Sequence, residues 1–174
     1  MGAEQQLVKK AVKGDDTAFL QLMQLYKIDL YKTAISFLRN EEEALEAIQE
    51  VTYRAYKNRK TVKEPAYFKT WLIRIMINYC NDHLKKQQRV VFNQEALNNK
   101  GAPENHNKLE LQDAMQDLDE RSRELLTLKY FHDLKIKEIA ELLQCPEGTV
   151  KTWLNKALKA LKEKLEGNGG DLHV

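Results

Sequence analysis

In the last third of the chain Glu147, Thr149, Lys151, Thr152, Asn155 and Lys156 recur at short intervals, with Lys159 and Lys162 beyond them. Wound into a helix, such short polar and cationic side chains can meet base edges and phosphate oxygens without doing covalent chemistry. A second set lies near the middle, where Lys60, Lys63, Lys69, Arg74 and Asn78 are interleaved with Tyr67, Phe68 and Trp71. Rings offer planes on which unpaired bases stack, and cations between them hold phosphates, which is what a single-stranded nucleic-acid site needs. A third set is acidic and runs from Glu41 to Glu50, with Glu46, Gln49 and Glu50 followed by Tyr53. An acidic helix face is most often solvated surface, so composition by itself does not make it a docking face. Catalysis has no comparable constellation. His83, His106, His132 and His173 are far apart, no glycine loop offers a phosphate cradle, and no Ser–His or paired-carboxylate arrangement stands out. Cys80 and Cys145 are too few and too scattered for a disulfide framework or a zinc site. Neither a cofactor nor a metal is expected.

The elements that must hold these side chains are helices. Three prolines and seven glycines in 174 residues, with long stretches of Leu, Lys, Glu, Gln and Ala, predict an all-α protein, and 43% hydrophobic residues suffice for packed cores. Near the end Ile136, Ile139, Ala140 and Leu143 fit one helical face, and Val150, Leu154, Leu158, Leu161 and Leu165 fit another. Between them Gln144-Cys145-Pro146 breaks the run, and proline is tolerated at a helix start because its missing N–H would be unpaired there anyway. Two helices meeting at such a turn form a helix-turn-helix, whose second helix presents its first turns to the major groove. Further back, periodicity predicts helices over about 4–13, 17–38, 42–58 and 67–86. The second of these buries Phe19, Leu22, Met23, Tyr26, Leu30 and Ile35 with Phe37 or Leu38. The third turns Leu45, Ile48, Val51, Thr52 and Ala55 inward, and the fourth Leu72, Ile75, Met76, Tyr79 and Leu84. Residues 58–66 form a polar break. From Arg89 to Asn107 periodicity fails, with Gly101, Pro103 and five asparagines, and the stretch reads as a flexible linker.

A formal charge of +2 excludes a uniformly basic coat, so partners follow from charge distribution. Lysines gather around 57–63, at 85–89 and on the last helix, whereas acids gather at 41–50 and 113–124. No apolar stretch reaches the roughly 18–20 residues of a membrane span, and the N-terminus has no apolar signal core, so a cytoplasmic location is expected.

Several segments also resemble a known family. DERSRELLTLKYFHDLKIKEIAELLQCPEGTVKTWLNKALKAL looks like region 4 of the extracytoplasmic-function sigma factors of the sigma-70 family, carried by Glu120–Glu124, Tyr130-Phe131, Glu138-Ile139-Ala140 and Gly148–Lys151. Trp153, Lys156 and Leu158 depart from it, standing where arginines are usual, as do Gln144 and Asp119, in place of glycine and proline. EEALEAIQEVTYRAYKN resembles region 2.2, with Gln49 matching and Glu46 in place of aspartate, and YFKTWLIRIMINYCNDHLKK resembles regions 2.3 and 2.4.

The resemblance implies two small helical domains joined by a linker, in family order. They would be a region 2 domain over 1–88, a linker over 89–107, a region 4 domain over 108–167, and a tail over 168–174. Glu46, Gln49, Glu50 and Tyr53 would dock on the clamp of core RNA polymerase. Lys60, Lys63, Tyr67, Phe68, Lys69, Arg74 and Asn78 would hold melted −10 promoter DNA, the loop 60–66 receiving a flipped base. Glu147, Thr149, Lys151, Thr152, Asn155 and Lys156 would read the −35 element. An anti-sigma factor is the further partner implied. The rival reading is a stand-alone helix-turn-helix regulator, which would bind symmetric duplex sites as a dimer without polymerase.

Overall fold

The computed structural model describes residues 2–95 and 108–169. It is all helical among those residues and clusters into two compact units, 1–96 and 97–174. In the first, α1 (Ala3–Val12), α2 (Asp16–Leu38), α3 (Glu41–Asn58) and α4 (Phe68–Glu95) are joined by short turns, with 3-10 turns at Arg59–Thr61 and Pro65–Tyr67. The capping is local and legible. Asp15 accepts the Ala18 N–H at 3.0 Å to open α2, and Asn40 accepts that of Glu43 at 3.0 Å to open α3. Glu41, Glu42 and Glu43 fill the first turn of α3, where negative charge complements the helix dipole, so part of the acidic run has a purely structural explanation.

The core of this unit is Phe19, Leu22, Met23, Tyr26, Leu30 and Phe37 of α2 against Phe68, Leu72, Ile73, Met76, Ile77 and Cys80 of α4. Two inward faces differ from the periodicity. On α3 the buried stripe is Ala44, Ala47, Val51 and Ala55, while Leu45 is 51% exposed, because small side chains let this helix lie close to α2 and α4. On α4 the buried face is wider than expected and turned toward Ile73, Ile77 and Cys80, since the helix packs on both α2 and α3. Ile75, Tyr79 and Leu84 are only half-buried. The helix also runs to Glu95, past the expected end near Lys86, because no glycine or proline interrupts the sequence before Gly101. Residues 96–107 of the expected linker and 170–174 of the tail lie outside the described residues.

The second unit comprises α5 (Lys108–Gln116), α6 (Glu120–Leu126), a π-helical turn at Thr127–Phe131, α7 (Ile136–Leu143) and α8 (Glu147–Gly169). At its centre lies the continuous buried run Ser122–Leu128. Arg123 is held there by carbonyls, donating to Met115, Gln116 and Leu118 at 3.2, 3.1 and 2.9 Å, and so fixes the turn from α5 into α6. Asp119 caps α6, accepting from the Ser122 N–H at 2.9 Å and its hydroxyl at 2.8 Å. Burial pushes the Asp119 carboxyl up, but these hydrogen bonds outweigh it and leave the group below its ordinary value. The cap therefore contributes above the unfolded pKa and is lost only as pH falls through the lowered folded one.

Gln144 ends α7 in the left-handed region, at φ 54 and ψ 47, and its N–H reaches back to the Glu141 carbonyl at 3.3 Å. A side chain with a Cβ costs about 1 kcal/mol in this conformation, which glycine adopts freely. Gln144→Gly is expected to stabilise the second unit by up to about 1 kcal/mol, part of the gain being offset by the freer unfolded chain. For a unit of this size that is a rise in Tm of at most roughly 4–8 °C, measured by melting on Trp153 fluorescence in a Trp71→Phe background. An unchanged or lower Tm would show that the glutamine side chain compensates for its own backbone.

Candidate nucleic-acid and polymerase interfaces

On α8, Val150, Leu154 and Ala157 are buried against the other helices of the unit. The opposite side leaves Glu147, Lys151, Thr152, Asn155, Lys156 and Lys159 exposed and Thr149 half-buried, so the residues expected to read duplex DNA share one open surface. Pro146 stands just ahead of the helix and accepts the Thr149 N–H at 3.0 Å. The Thr152 hydroxyl donates to the Gly148 carbonyl at 3.0 Å, which leaves its oxygen lone pairs as acceptors toward a ligand. The inward register differs by one residue from the periodicity. Ala157 is fully buried, and Leu158, expected inside, is 38% exposed, because α8 lies close to α6 at this level and only a small side chain fits. Trp153 is half-buried, with the Arg121 guanidinium 4.8 Å from its ring centre, so it ties α8 to α6.

On α3, Glu46, Gln49 and Tyr53 are exposed and follow Leu45 along the helix, with Tyr56 one turn further. Leu45, Tyr53 and Tyr56 are 51, 57 and 39% exposed, an amphipathic stripe edged by acids on an otherwise alanine-faced helix. Lys57 sits 5.2 Å over the Tyr53 ring. Glu50 is the partner of Arg54, at 3.0 Å, and is less available than Glu46.

The aromatic and basic set near the middle of the chain is only partly brought together. Lys60, Lys63, Lys69 and Asn78 are exposed, Tyr67 and Arg74 half-buried, and Lys69 pairs with Asp29 at 3.3 Å. Phe68 is a correction. Its side chain is 0% exposed, packed between Tyr26 at 6.2 Å and Trp71 at 5.4 Å, so it belongs to the core and no base can stack on it.

Two features carry no local signal in the sequence. Arg54, Tyr79, Asp82, His83, Lys85, Lys86 and Arg89 line a cleft of 260 Å³ between α3 and α4. Burial, then the nearby Glu46 carboxylate, push the Tyr79 hydroxyl above its ordinary value. Across the same two helices Glu43 meets Gln87 at 2.8 Å and His83 at 3.5 Å. Arg59, expected in a polar loop, is instead buried.

Sequence comparisons decide the family. The sequence model for Sigma-70 region 2 matches residues 22–90, and that for Sigma-70, region 4, matches residues 108–161. The RNA polymerase sigma factor SigV of Bacillus subtilis is 33% identical over 143 residues, covering 80% of this chain and 86% of the relative. The ECF RNA polymerase sigma factor SigW of the same organism is 31% identical, covering 91% of this chain and 94% of that one. The chain belongs to the extracytoplasmic-function group of the sigma-70 family. Solved structures share the fold of this sigma factor. CnrH, in complex with the cytosolic domain of CnrY, aligns with a TM-score of 0.69 at 22% identity, over 95% of this chain and 99% of that one. The sigma factor RpoE, in complex with the anti-sigma factor NepR from Bartonella quintana, aligns with a TM-score of 0.62 at 22% identity, over 85 and 96%. Within the sigma factor, α3 and α4 as far as residue 90 fall in the region 2 match, and α5, α6, α7 and the first part of α8 in the region 4 match, whereas α1 precedes both. Among the described residues no helix is long and apolar enough to cross a membrane.

Proposed function

We propose that this sigma factor directs core RNA polymerase to its promoters through three surfaces, with the domain limits taken as 1–88 and 108–167 and residues 89–107 as the connection. Glu46, Gln49, Glu50 and Tyr53 dock on the polymerase clamp. Lys60, Lys63, Tyr67, Lys69, Arg74 and Asn78 hold the melted −10 strand, with the buried Phe68 supporting the loop from beneath. Glu147, Thr149, Lys151, Thr152, Asn155 and Lys156 face the −35 duplex. The observation that carries the reading is the ordered pair of matches, region 2 then region 4, each on its own helical unit with polar candidates on an open face. A cytoplasmic location goes with this role. The complex of the sigma factor RpoE with the anti-sigma factor NepR supports control by an anti-sigma factor, which would cover the same polymerase- and DNA-facing surfaces.

Run-off transcription from a promoter library with purified core polymerase tests the whole reading. Transcripts that start at asymmetric promoters only when the protein is added are the expected result. Tight binding of symmetric duplex sites by a dimer lacking polymerase would instead support a stand-alone regulator.

The docking face has its own test. Glu46 is exposed beside Leu45, and a lysine there reverses the charge without touching the alanine face that holds α3 in place. Glu46→Lys is expected to weaken core binding by about tenfold, since like-charge contacts at a docked surface are strongly unfavourable, while leaving the helical circular-dichroism signal unchanged. Unaltered affinity in pull-downs at several salt concentrations would remove α3 from the interface.

A further inference from the structure

We infer that Arg59 is a positioning residue for the loop that holds the melted strand, and that the segment ahead of the region 2 match supplies its anchor. The inference rests on the loop assignment proposed above. Arg59 is 8% exposed and opens the loop as the first residue after α3. Each of its nitrogens is engaged by a different residue: Nε donates to the Ala11 carbonyl at 3.0 Å, Nη1 to the Tyr56 carbonyl at 2.6 Å, and Nη2 to the Asp16 carboxylate at 3.1 Å. Its guanidinium also stacks 3.9 Å from the centre of the Tyr56 ring, which meets Phe19 edge-on at 5.5 Å. One side chain thus joins the end of α1, the start of α2 and the last turn of α3 at the point where the loop begins.

The far end of the loop is pinned as well. The Tyr67 N–H donates to the Glu64 carbonyl at 3.1 Å across the Pro65 turn, and Phe68 is sealed in the core. Between the two anchors Lys60, Thr61, Lys63 and Glu64 point into solvent. A buried arginine is a poor device for stability alone, because apolar residues of the same volume often serve as well or better. What a planar fork of fixed donors adds is direction, and lysine cannot reproduce it. Groups that recognise a ligand must be held within roughly 0.5 Å, and a misplacement of about 1 Å can cost on the order of a hundredfold. Ala11 and Asp16 both precede residue 22, where the region 2 match begins, so α1 and the start of α2 act here as the mount of a loop that lies within the matched region.

The test uses the full chain bound to core polymerase, with Arg59→Lys, Asp16→Asn and Lys63→Ala compared. Core affinity, closed complexes, open complexes by permanganate reactivity and base preference on a −10 library are each measured. Arg59→Lys keeps the charge but loses the fork, and is expected to lower open-complex yield about tenfold and flatten base preference, with core affinity kept. Asp16→Asn touches one exposed carboxylate, so the fold is retained even if Arg59→Lys fails to fold, and the same readouts should move about two- to threefold in the same direction. Wild-type base preference in both variants, with any loss shared equally by core binding and melting, would make Arg59 a stability residue only and overturn the inference. If Lys63→Ala impairs melting and neither anchor variant does, the loop assignment stands and the positioning role falls. Unchanged melting and preference in Lys63→Ala would sink the loop assignment itself.

Discussion

Replacing Phe68 with alanine is expected to destabilise the first helical unit by about 3–5 kcal/mol, the usual cost of emptying a fully buried aromatic site. The ring is completely enclosed, in contact with Tyr26 and Trp71, at the point where α4 enters the bundle. Its neighbours are long helices held by their own caps and cannot collapse into the space, so the penalty belongs at the upper end of the range. The chain has two tryptophans, Trp71 in the first unit and Trp153 in the second, and a Trp153→Phe background makes Trp71 fluorescence a reporter of the first unit. With a urea dependence of about 1–3 kcal/mol per molar, the midpoint should fall by roughly 2 M. Tyr67→Ala, at a half-buried position on the loop side, is expected to change the midpoint little and to impair melting of the −10 element instead. A Phe68→Ala protein that unfolds like the parent but fails to open promoters would restore the stacking role that the packing denies this ring.

Phe68 shows where a sequence stops being informative. Tyr67, Phe68 and Trp71 are equally aromatic, and nothing local separates the ring that supports a loop from the ring on its surface. The helix-turn-helix was legible because its signals are local: a proline break and an apolar period on each side. Gln144 takes the left-handed turn conformation that glycine usually supplies, which composition hides. Helix existence followed from period, but register followed from packing. On α3 and α8 the larger hydrophobes Leu45 and Leu158 look like core, yet the close approach of neighbouring helices buries Ala44, Ala47 and Ala157 in their place. Arg59 was least legible. Its partners Ala11 and Asp16 are distant in sequence, and no periodicity encodes a hydrogen bond from a loop to the end of a remote helix. Positions whose role is set by neighbours of high sequence separation are thus those at which pattern reading fails, and here they sit beneath the proposed DNA-binding surface.

On the recognition helix the expected result is a separation of specificity from affinity. Lys151 and Asn155 are exposed one turn apart in the N-terminal part of α8, the part that enters the major groove in helix-turn-helix proteins. Asparagine can pair with adenine through two hydrogen bonds and lysine with guanine acceptors, each good pairing discriminating against the wrong base by about 1–3 kcal/mol. Lys159 lies one turn beyond Asn155, exposed, where a flexible cation meets the backbone rather than a base edge. The buried stripe Val150, Leu154 and Ala157 sets which way all three point, and truncating any of them leaves that stripe intact. Lys151→Ala and Asn155→Ala should therefore relax the preferred −35 sequence, by up to about a hundredfold in the ratio of best to substituted base when a bidentate pair is lost. Lys159→Ala should weaken binding to all sequences alike and reduce the salt slope by about one charge. Promoter selection by each variant holoenzyme, scored by position at two salt concentrations, separates the outcomes. If the Lys151 and Asn155 variants keep the parent's preference and lose affinity only, base reading lies elsewhere on α8. Trp153, clasped by Arg121 at the edge of the same surface, is then the next residue to exchange.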